Sequence, residues 1–186
     1  SSIITDLLEF AETSELGETE DVSLDSVVKT VVDDLESVAQ NNMVNVQVNT
    51  QIDAHPDKQS ETQNLTVKGN ANLLYRALYN LVENAIRYNN EEGSVNITLE
   101  TRGQEGVIII ADTGVGIAPE QRELVFEPFY RVNKSRSREF GGAGIGLSLV
   151  KTILKRHGAS ITVSENTPQG SVFTIRIPLV DAIDSE

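Results

Sequence analysis

The chain has 186 residues, enough for one domain or one domain with a short appendage, and 39% of them are hydrophobic, enough for a core. Lys and Arg number 15 against 28 Asp and Glu, so the formal net charge is −13 and the surface repels nucleic acid and anionic membranes at long range. The absence of cysteine excludes disulfides, thiolate metal sites and cysteine nucleophiles, and no run approaches the roughly 18–20 apolar residues of a membrane span.

The N-terminal SSIITDLLEF lacks the basic start and long apolar run of a secretion signal, so a soluble domain is expected, of a parent protein that membrane anchoring still suits. Residues 3–11 place Ile3, Ile4, Leu7, Leu8 and Ala11 on one helical stripe, and ETSELGETED, residues 12–21, reads as a linker or helix end. Ser23 is a candidate cap for a helix with the stripe Leu24, Val27, Val28, Val31, Val32, Leu35, Val38 and Ala39. MVNVQVNT alternates strictly and predicts a half-buried strand with Val44, Val46 and Val48 on one side. HPDKQSETQN is a polar loop and LTV a short strand. Asn70 then caps a long helix with the stripe Leu73, Leu74, Ala77, Leu78, Leu81, Val82, Ala85 and Ile86.

Val95, Ile97 and Leu99 alternate as a strand, and Gly106 opens the apolar run VIII, a buried strand that ends at Asp112. Residues 128–143 carry no apolar periodicity and read as a long mobile loop. Gly144 to His157 predicts a helix ended by Gly158, and ITV and SVFTIRIP are strands. The economical architecture is α+β, a two-layer sandwich with two helices packed on one face of a mixed, mostly antiparallel sheet. Neither an internal repeat nor a low-complexity tract is visible.

Charge is unevenly spread. Segment 6–36 is acidic, while Arg131, Lys134, Arg136 and Arg138 form a basic cluster. A basic spot on an acidic protein suits a small anionic ligand; a solvated loop is the plain alternative.

Four constellations carry chemistry. In NLVENAIRY, residues 80–88, Asn80 and Asn84 share a helix face, and Arg87 and Tyr88 follow one turn later. Carboxamide oxygens ligate a hard cation such as magnesium without adding negative charge beside a polyphosphate, although two solvated asparagines would read the same. In ADTGVGIAP, residues 111–119, a buried strand delivers the carboxylate of Asp112 before two glycines. Such a carboxylate can accept from an exocyclic amino group like that of adenine, or simply end a strand in a turn. GGAGIGL, residues 141–147, opens a helix whose exposed N–H groups and dipole favour anions, but it lacks the strand before the Rossmann fingerprint and the Gly-Lys-Ser/Thr of the P-loop. In FEPFYRVNKSRSREF, residues 126–140, Phe126, Phe129 and Tyr130 are candidate anchors for a loop whose cationic tip could close over phosphates.

Together and in this order the four resemble the boxes of the histidine-kinase branch of the GHKL ATPase superfamily. NLVENAIRY resembles the N box, DTGVGIAP the first glycine box, FEPFYR the F box and GGAGIGLSLV the second glycine box. HGASITVSENTPQGSVFTIRIPL resembles the closing strands, and ITDLLEFAETSELG the tail of the dimerisation helix, so residues 1–20 are expected to be that tail and a linker, and 21–186 the catalytic domain. The resemblance implies the GHKL (Bergerat) ATP-binding fold, with ATP and magnesium as ligands and transfer of the γ-phosphate to a histidine.

The same resemblance assigns roles by position. Asp112 would bind the adenine amino group, with Gly114 and Gly116 shaping the wall. Asn84, helped by Asn80, would hold magnesium. Arg87 and Arg131 would face the phosphates and Tyr88 would lie against the nucleotide. Gly142, Gly144 and Gly146 would hinge a lid and present N–H groups. Ile117, Phe129, Ile145, Leu147 and Ser171 complete the expected nucleotide site, and Glu83 joins Asn80, Asn84 and Arg131 as a catalytic candidate. Asn133, Ala143 and Ala159 stand where Asp, Thr and Gly are usual. Hydrolysing relatives carry a water-activating Glu four residues before the magnesium Asn; here Asn80 occupies that place and cannot serve as a general base, and Glu83 points about 100° around the helix from Asn84.

The acceptor of the family is a helical His followed by an acidic residue. His55, beside Pro56 in a loop, and His157, before Gly158 at a helix end, fit neither requirement, and both read as structural or surface residues. The acceptor segment is therefore expected either outside this chain or absent from the protein; the resemblance implies the former, on a dimerisation domain of a homodimeric parent, with a response regulator downstream, no nucleic-acid partner and no membrane contact by the domain itself. The resemblance implies a cytoplasmic location within a plasma-membrane sensor. A serine kinase of the anti-sigma type and a nucleotide-sensing module without transferase activity are the rival readings.

Overall fold

The computed structural model describes residues 16–51, 65–132 and 144–180. The expected helix at 3–11, the loop holding His55, residues 133–143 with Asn133, Lys134, Arg136, Arg138, Gly142 and Ala143, and the last residues from 181 lie outside them.

Three α-helices and seven strands form among the described residues. Helix α1 (Leu24–Asn41) starts where the Ser23 hydroxyl accepts from the Ser26 N–H at 3.4 Å. Helix α2 (Ala71–Arg87) starts where the Asn70 carboxamide accepts from the Leu73 N–H at 3.1 Å. Each cap satisfies one donor that the first helical turn leaves without an intrahelical partner. Helix α3 (Gly146–Arg156) ends at His157, and Gly158 takes the left-handed conformation at φ +67°.

The strands are β1 (Glu20–Ser23), β2 (Asn45–Gln51), β3 (Thr66–Gly69), β4 (Ser94–Arg102), β5 (Glu105–Asp112), β6 (Ser160–Glu165) and β7 (Ser171–Pro178). Five of them form the main sheet, in the order β2-β4-β5-β7-β6. In it β2 and β4 run parallel, and the other pairs are antiparallel. Alternation selects one face of β4, β5 and β7 for the core. Val95, Ile97 and Leu99, then Ile108 and Ile110, then Phe173, Ile175 and Ile177 are buried in one cluster with the apolar stripes of all three helices. Helix α2 lies between α1 and α3, touching β4 and β5 beneath it. The α+β sandwich is as expected, but it holds three helices where the economical reading placed two, because the α3 stripe of Leu149, Val150, Ile153 and Leu154 also needs cover from water.

Two local differences stand out. Residues 20–23, inside or beside the expected linker, form β1, which pairs antiparallel with β3 in a separate two-stranded sheet. Val44 and Val46 turn inward as expected, but Val48 is 42% exposed, because β2 is an edge strand that outruns its cover.

Candidate functional site

The C-terminal half of α2 carries the asparagine pair. The Asn80 carboxamide donates to the Arg76 carbonyl at 2.9 Å, which turns its oxygen outward; a Cβ at Gly146 would lie 3.1 Å from that oxygen. Asn80 therefore meets the opening residue of α3. Asn84 is half-buried one turn later. Glu83 and Arg87, four apart on the same helix, form an ion pair in which Arg87 Nε and Nη2 both reach Glu83 Oε1, at 3.0 and 2.9 Å. Arg87, expected to face phosphates, is held by Glu83 in this structure, and the carboxylate of Glu83 is occupied.

Asp112 ends β5 and is 7% exposed. Its Oδ1 accepts from the Gly114 N–H at 2.9 Å and from the Ser171 N–H at 3.1 Å. Among the described residues no hydrogen bond reaches Oδ2. Burial pushes the carboxyl above the ordinary aspartate range, and the two N–H donors pull it back less strongly. Gly114 has no room for a side chain: a Cβ would lie 2.4 Å from the Tyr88 carbonyl oxygen. That close approach joins the first glycine box to the end of α2, where the Val115 N–H also donates to the Tyr88 carbonyl at 3.2 Å. Tyr88 is 38% exposed at this junction. Gly116 lies against the Gly170 carbonyl.

The junction is fastened by groups that sequence reasoning passed over. Asn89 donates to the Ala85 and Ser94 carbonyls and accepts from the Asn90 N–H and the Thr113 hydroxyl. The Thr113 hydroxyl in turn accepts from the Ser94 N–H at 2.9 Å. An asparagine just after one recognised box and a threonine inside the other were the available signal. Asn166, on the β6–β7 hairpin, donates to the Asp112 carbonyl at 2.8 Å and had no comparable signal.

The F box and second glycine box also meet, the Phe129 N–H donating to the Gly144 carbonyl at 2.9 Å. Phe126 is buried edge-on against Phe173, at 6.3 Å between ring centres, and Tyr130 packs on the core. Phe129 departs from its expected role as an anchor: it is 60% exposed, on a left-handed backbone at φ +66°. The reason is local, since that backbone turns its side chain outward while the neighbours fill the core. Arg131 has a buried Nη2 without a hydrogen-bond partner among the described residues. Ile145 is buried, and Ile117 and Leu147 pack partly against the core.

His157 is structural, one of the two roles expected for it. It is 8% exposed, its Nδ1 lies 2.8 Å from the Ile153 carbonyl and its Nε2 accepts from the Asn70 N–H at 3.0 Å. A groove of about 370 Å³ between α1 and β2, bordered by Asp25, Lys29, Asp33 and Val48, shares no residue with these groups.

Comparison with known proteins agrees with this geometry. Residues 69–181 match the family described as "Histidine kinase-, DNA gyrase B-, and HSP90-like ATPase". The sensor histidine kinase RppB of Synechocystis sp. is 38% identical over 179 residues, covering 96% of this chain and 38% of the relative. The sensor-like histidine kinase SenX3 of Mycobacterium bovis is 37% identical over 163 residues, covering 87% of this chain and 37% of the relative. The chain thus spans less than two-fifths of either curated relative. Among solved structures, the nucleotide-free catalytic domain of histidine kinase ThkA superposes with a TM-score of 0.71 at 26% identity, over 87% of this chain and 96% of that one.

Proposed function

The chain belongs to the histidine kinase-, DNA gyrase B- and HSP90-like ATPase family, and from that premise we propose that it is the ATP-binding catalytic unit of a sensor histidine kinase, which transfers the γ-phosphate of ATP to a histidine on a dimerisation domain outside these residues. The observation that carries the proposal is Asp112: a buried carboxylate, fixed through Oδ1 by two backbone N–H groups, with Oδ2 left to accept from the adenine amino group.

The residues present fit magnesium and a polyphosphate. Asn80 and Asn84 offer neutral carboxamide oxygens on one helix face, and the carboxylate between them, Glu83, is taken by Arg87. Magnesium, when bound, would neutralise charge on the phosphates. Arg131 Nη2, without a hydrogen-bond partner among the described residues, and the N-terminus of α3 at Gly146 would supply the remaining attraction for an anion. Arg87 would exchange Glu83 for phosphate oxygens. Nothing among Asn80, Asn84 and the paired Glu83 activates water, so the site orients ATP for a nucleophile brought from elsewhere. Phosphoryl transfer asks mainly for positioning and charge neutralisation, which these groups supply.

A membrane-anchored homodimeric parent and a response-regulator partner belong to the same proposal. Among the described residues no helix is long and apolar enough to cross a membrane. The test is to mix the chain with a separately made histidine-bearing helical hairpin from the parent protein and γ-labelled ATP. Acid-labile label on the hairpin histidine is expected. Label on serine, or binding of ATP without any transfer, would overturn the histidine-kinase reading.

A further inference from the structure

The hairpin between β6 and β7 touches Asp112 at both ends of the residue. The Ser171 N–H donates to its carboxylate at 3.1 Å, and the Asn166 carboxamide donates to its main-chain carbonyl at 2.8 Å. The β5–β7 ladder stops one residue earlier, at Ala111 opposite Val172, so Asn166 supplies by side chain the donor that the ladder no longer provides. The hairpin is itself braced. The Asn166 carboxamide oxygen accepts from the Thr167 N–H at 2.9 Å, and its own N–H donates to the Gly170 carbonyl at 3.0 Å. Gly170, at φ +119°, comes so close that a Cβ there would lie 1.9 Å from the Asp112 carbonyl oxygen. Arg122 ties the outer side, reaching Glu165 at 3.3 Å and the Ile117 carbonyl at 3.4 Å.

From this arrangement we infer that Asn166 is a positioning residue for nucleobase selectivity, locking the Asp112 peptide so that Oδ2 is presented to the exocyclic amino group of adenine and not to the carbonyl of a 6-oxopurine. The inference rests on the adenine-binding role proposed for Asp112 and extends it to a side chain that meets no nucleotide itself. Holding the carbonyl fixes the backbone of Asp112, and holding Oδ1 from two sides fixes its side chain. Loss of the first loosens the Asp112 backbone that carries the side chain, so that Oδ2 shifts even while Oδ1 keeps its two donors, and it blurs the distinction between an amino and an oxo group at the purine 6-position.

Asn166→Asp is the discriminating variant. It keeps an acceptor for the Thr167 N–H, removes the donor that faces Asp112 and is nearly isosteric. The full chain and the variant are titrated with ATP and with ITP, whose base carries the 6-oxo group, and thermal melting records folding. The preference for ATP over ITP is expected to shrink by roughly 3–10-fold, the scale of one hydrogen bond. In an Asp112→Ala background the same change should leave the ratio unaltered, because no carboxylate remains to be aimed. Asn166→Ala serves as the second variant if Asn166→Asp melts too low to titrate, with the same expectation. An equal weakening of ATP and ITP, or an unchanged ratio, overturns the inference while the adenine site stands. Failure of the unmodified chain to bind ATP overturns the proposed function and the inference together.

Discussion

Asp112 sits under opposed demands. Its burial raises the carboxyl above the ordinary range, so ionising it in the folded state costs more than in the unfolded chain. A folded-state value above the unfolded one contributes stability that is fully present below the ordinary aspartate range, near pH 4, and lost as pH rises through the folded value. At neutral pH the ionised carboxylate therefore destabilises the fold. An asparagine side chain in its place would keep an oxygen for the Gly114 and Ser171 N–H groups and carry no charge. Asp112→Asn is expected to raise the melting temperature at pH 7 by a few degrees and to weaken ATP binding at least tenfold, the cost of losing a hydrogen bond to a charged acceptor. The two are read by calorimetric melting and titration. A variant less stable than the parent at pH 7, with ATP affinity intact, would remove both the strain and the adenine role.

Between elements, His157 does for α2 and α3 what Asp112 does for the site. Its Nε2 accepts from the Asn70 N–H at the start of α2, while Nδ1–H donates to the Ile153 carbonyl on α3. Burial lowers its pKa, opposed by the weaker effect of the bond to Ile153. A depressed folded-state value gives stability that is present above the unfolded value, about pH 6.5, and lost as pH falls through the folded one, because a protonated Nε2 can no longer accept. The share of the melting temperature owed to His157, read as the difference between the parent and His157→Ala, should fall between pH 7 and pH 5. His157→Ala should be less stable at pH 7 by about 1–3 kcal/mol, since it leaves the part-buried Asn70 N–H unmet and empties a buried site, and should show a shallower slope below pH 6.5. Parallel pH profiles for parent and variant would refute the account; His55 is common to both and cancels. The same contact shows what the sequence could disclose. Caps at Ser23 and Asn70, the helical stripes that follow them and the Gly158 stop are local patterns, and they were legible. The bond from His157 to Asn70 joins residues far apart in the chain, as do the β1–β3 pairing, the Asn166 bond to Asp112 and the strand order, and no local periodicity encodes them. At the site, residue types and order pointed to Asn80, Asn84 and Asp112, whereas the engagement of Arg87 by Glu83 and the outward turn of Phe129 depend on a backbone that had first to be folded.

On the proposed function, the molecule as a whole would separate binding of ATP from the choice of nucleophile. Helix α2 brings Asn80 against Gly146 of α3, carries Asn84 one turn later and ends at Tyr88 against Gly114, so cation, phosphates and base would all be read from a single helix and the sheet edge beside it. Only Glu83 in this set has a carboxylate suited to deprotonating water, and it lies around the helix from Asn84 with its Oε1 bonded twice by Arg87. Isolated from its acceptor, the chain should bind magnesium–ATP and release phosphate more slowly than roughly 1 s⁻¹, the low end for a dedicated enzyme. Glu83→Gln should leave that slow release unchanged, since no base is lost. Asn84→Ala should weaken ATP binding in magnesium and change it little in chelator, because in the proposed site its oxygen would act through the metal. Steady-state phosphate release and titrations with and without magnesium check all three outcomes. A collapse of phosphate release in Glu83→Gln would make Glu83 the base after all, and equal losses for Asn84→Ala in magnesium and in chelator would place that asparagine on the nucleotide directly, with the metal held elsewhere.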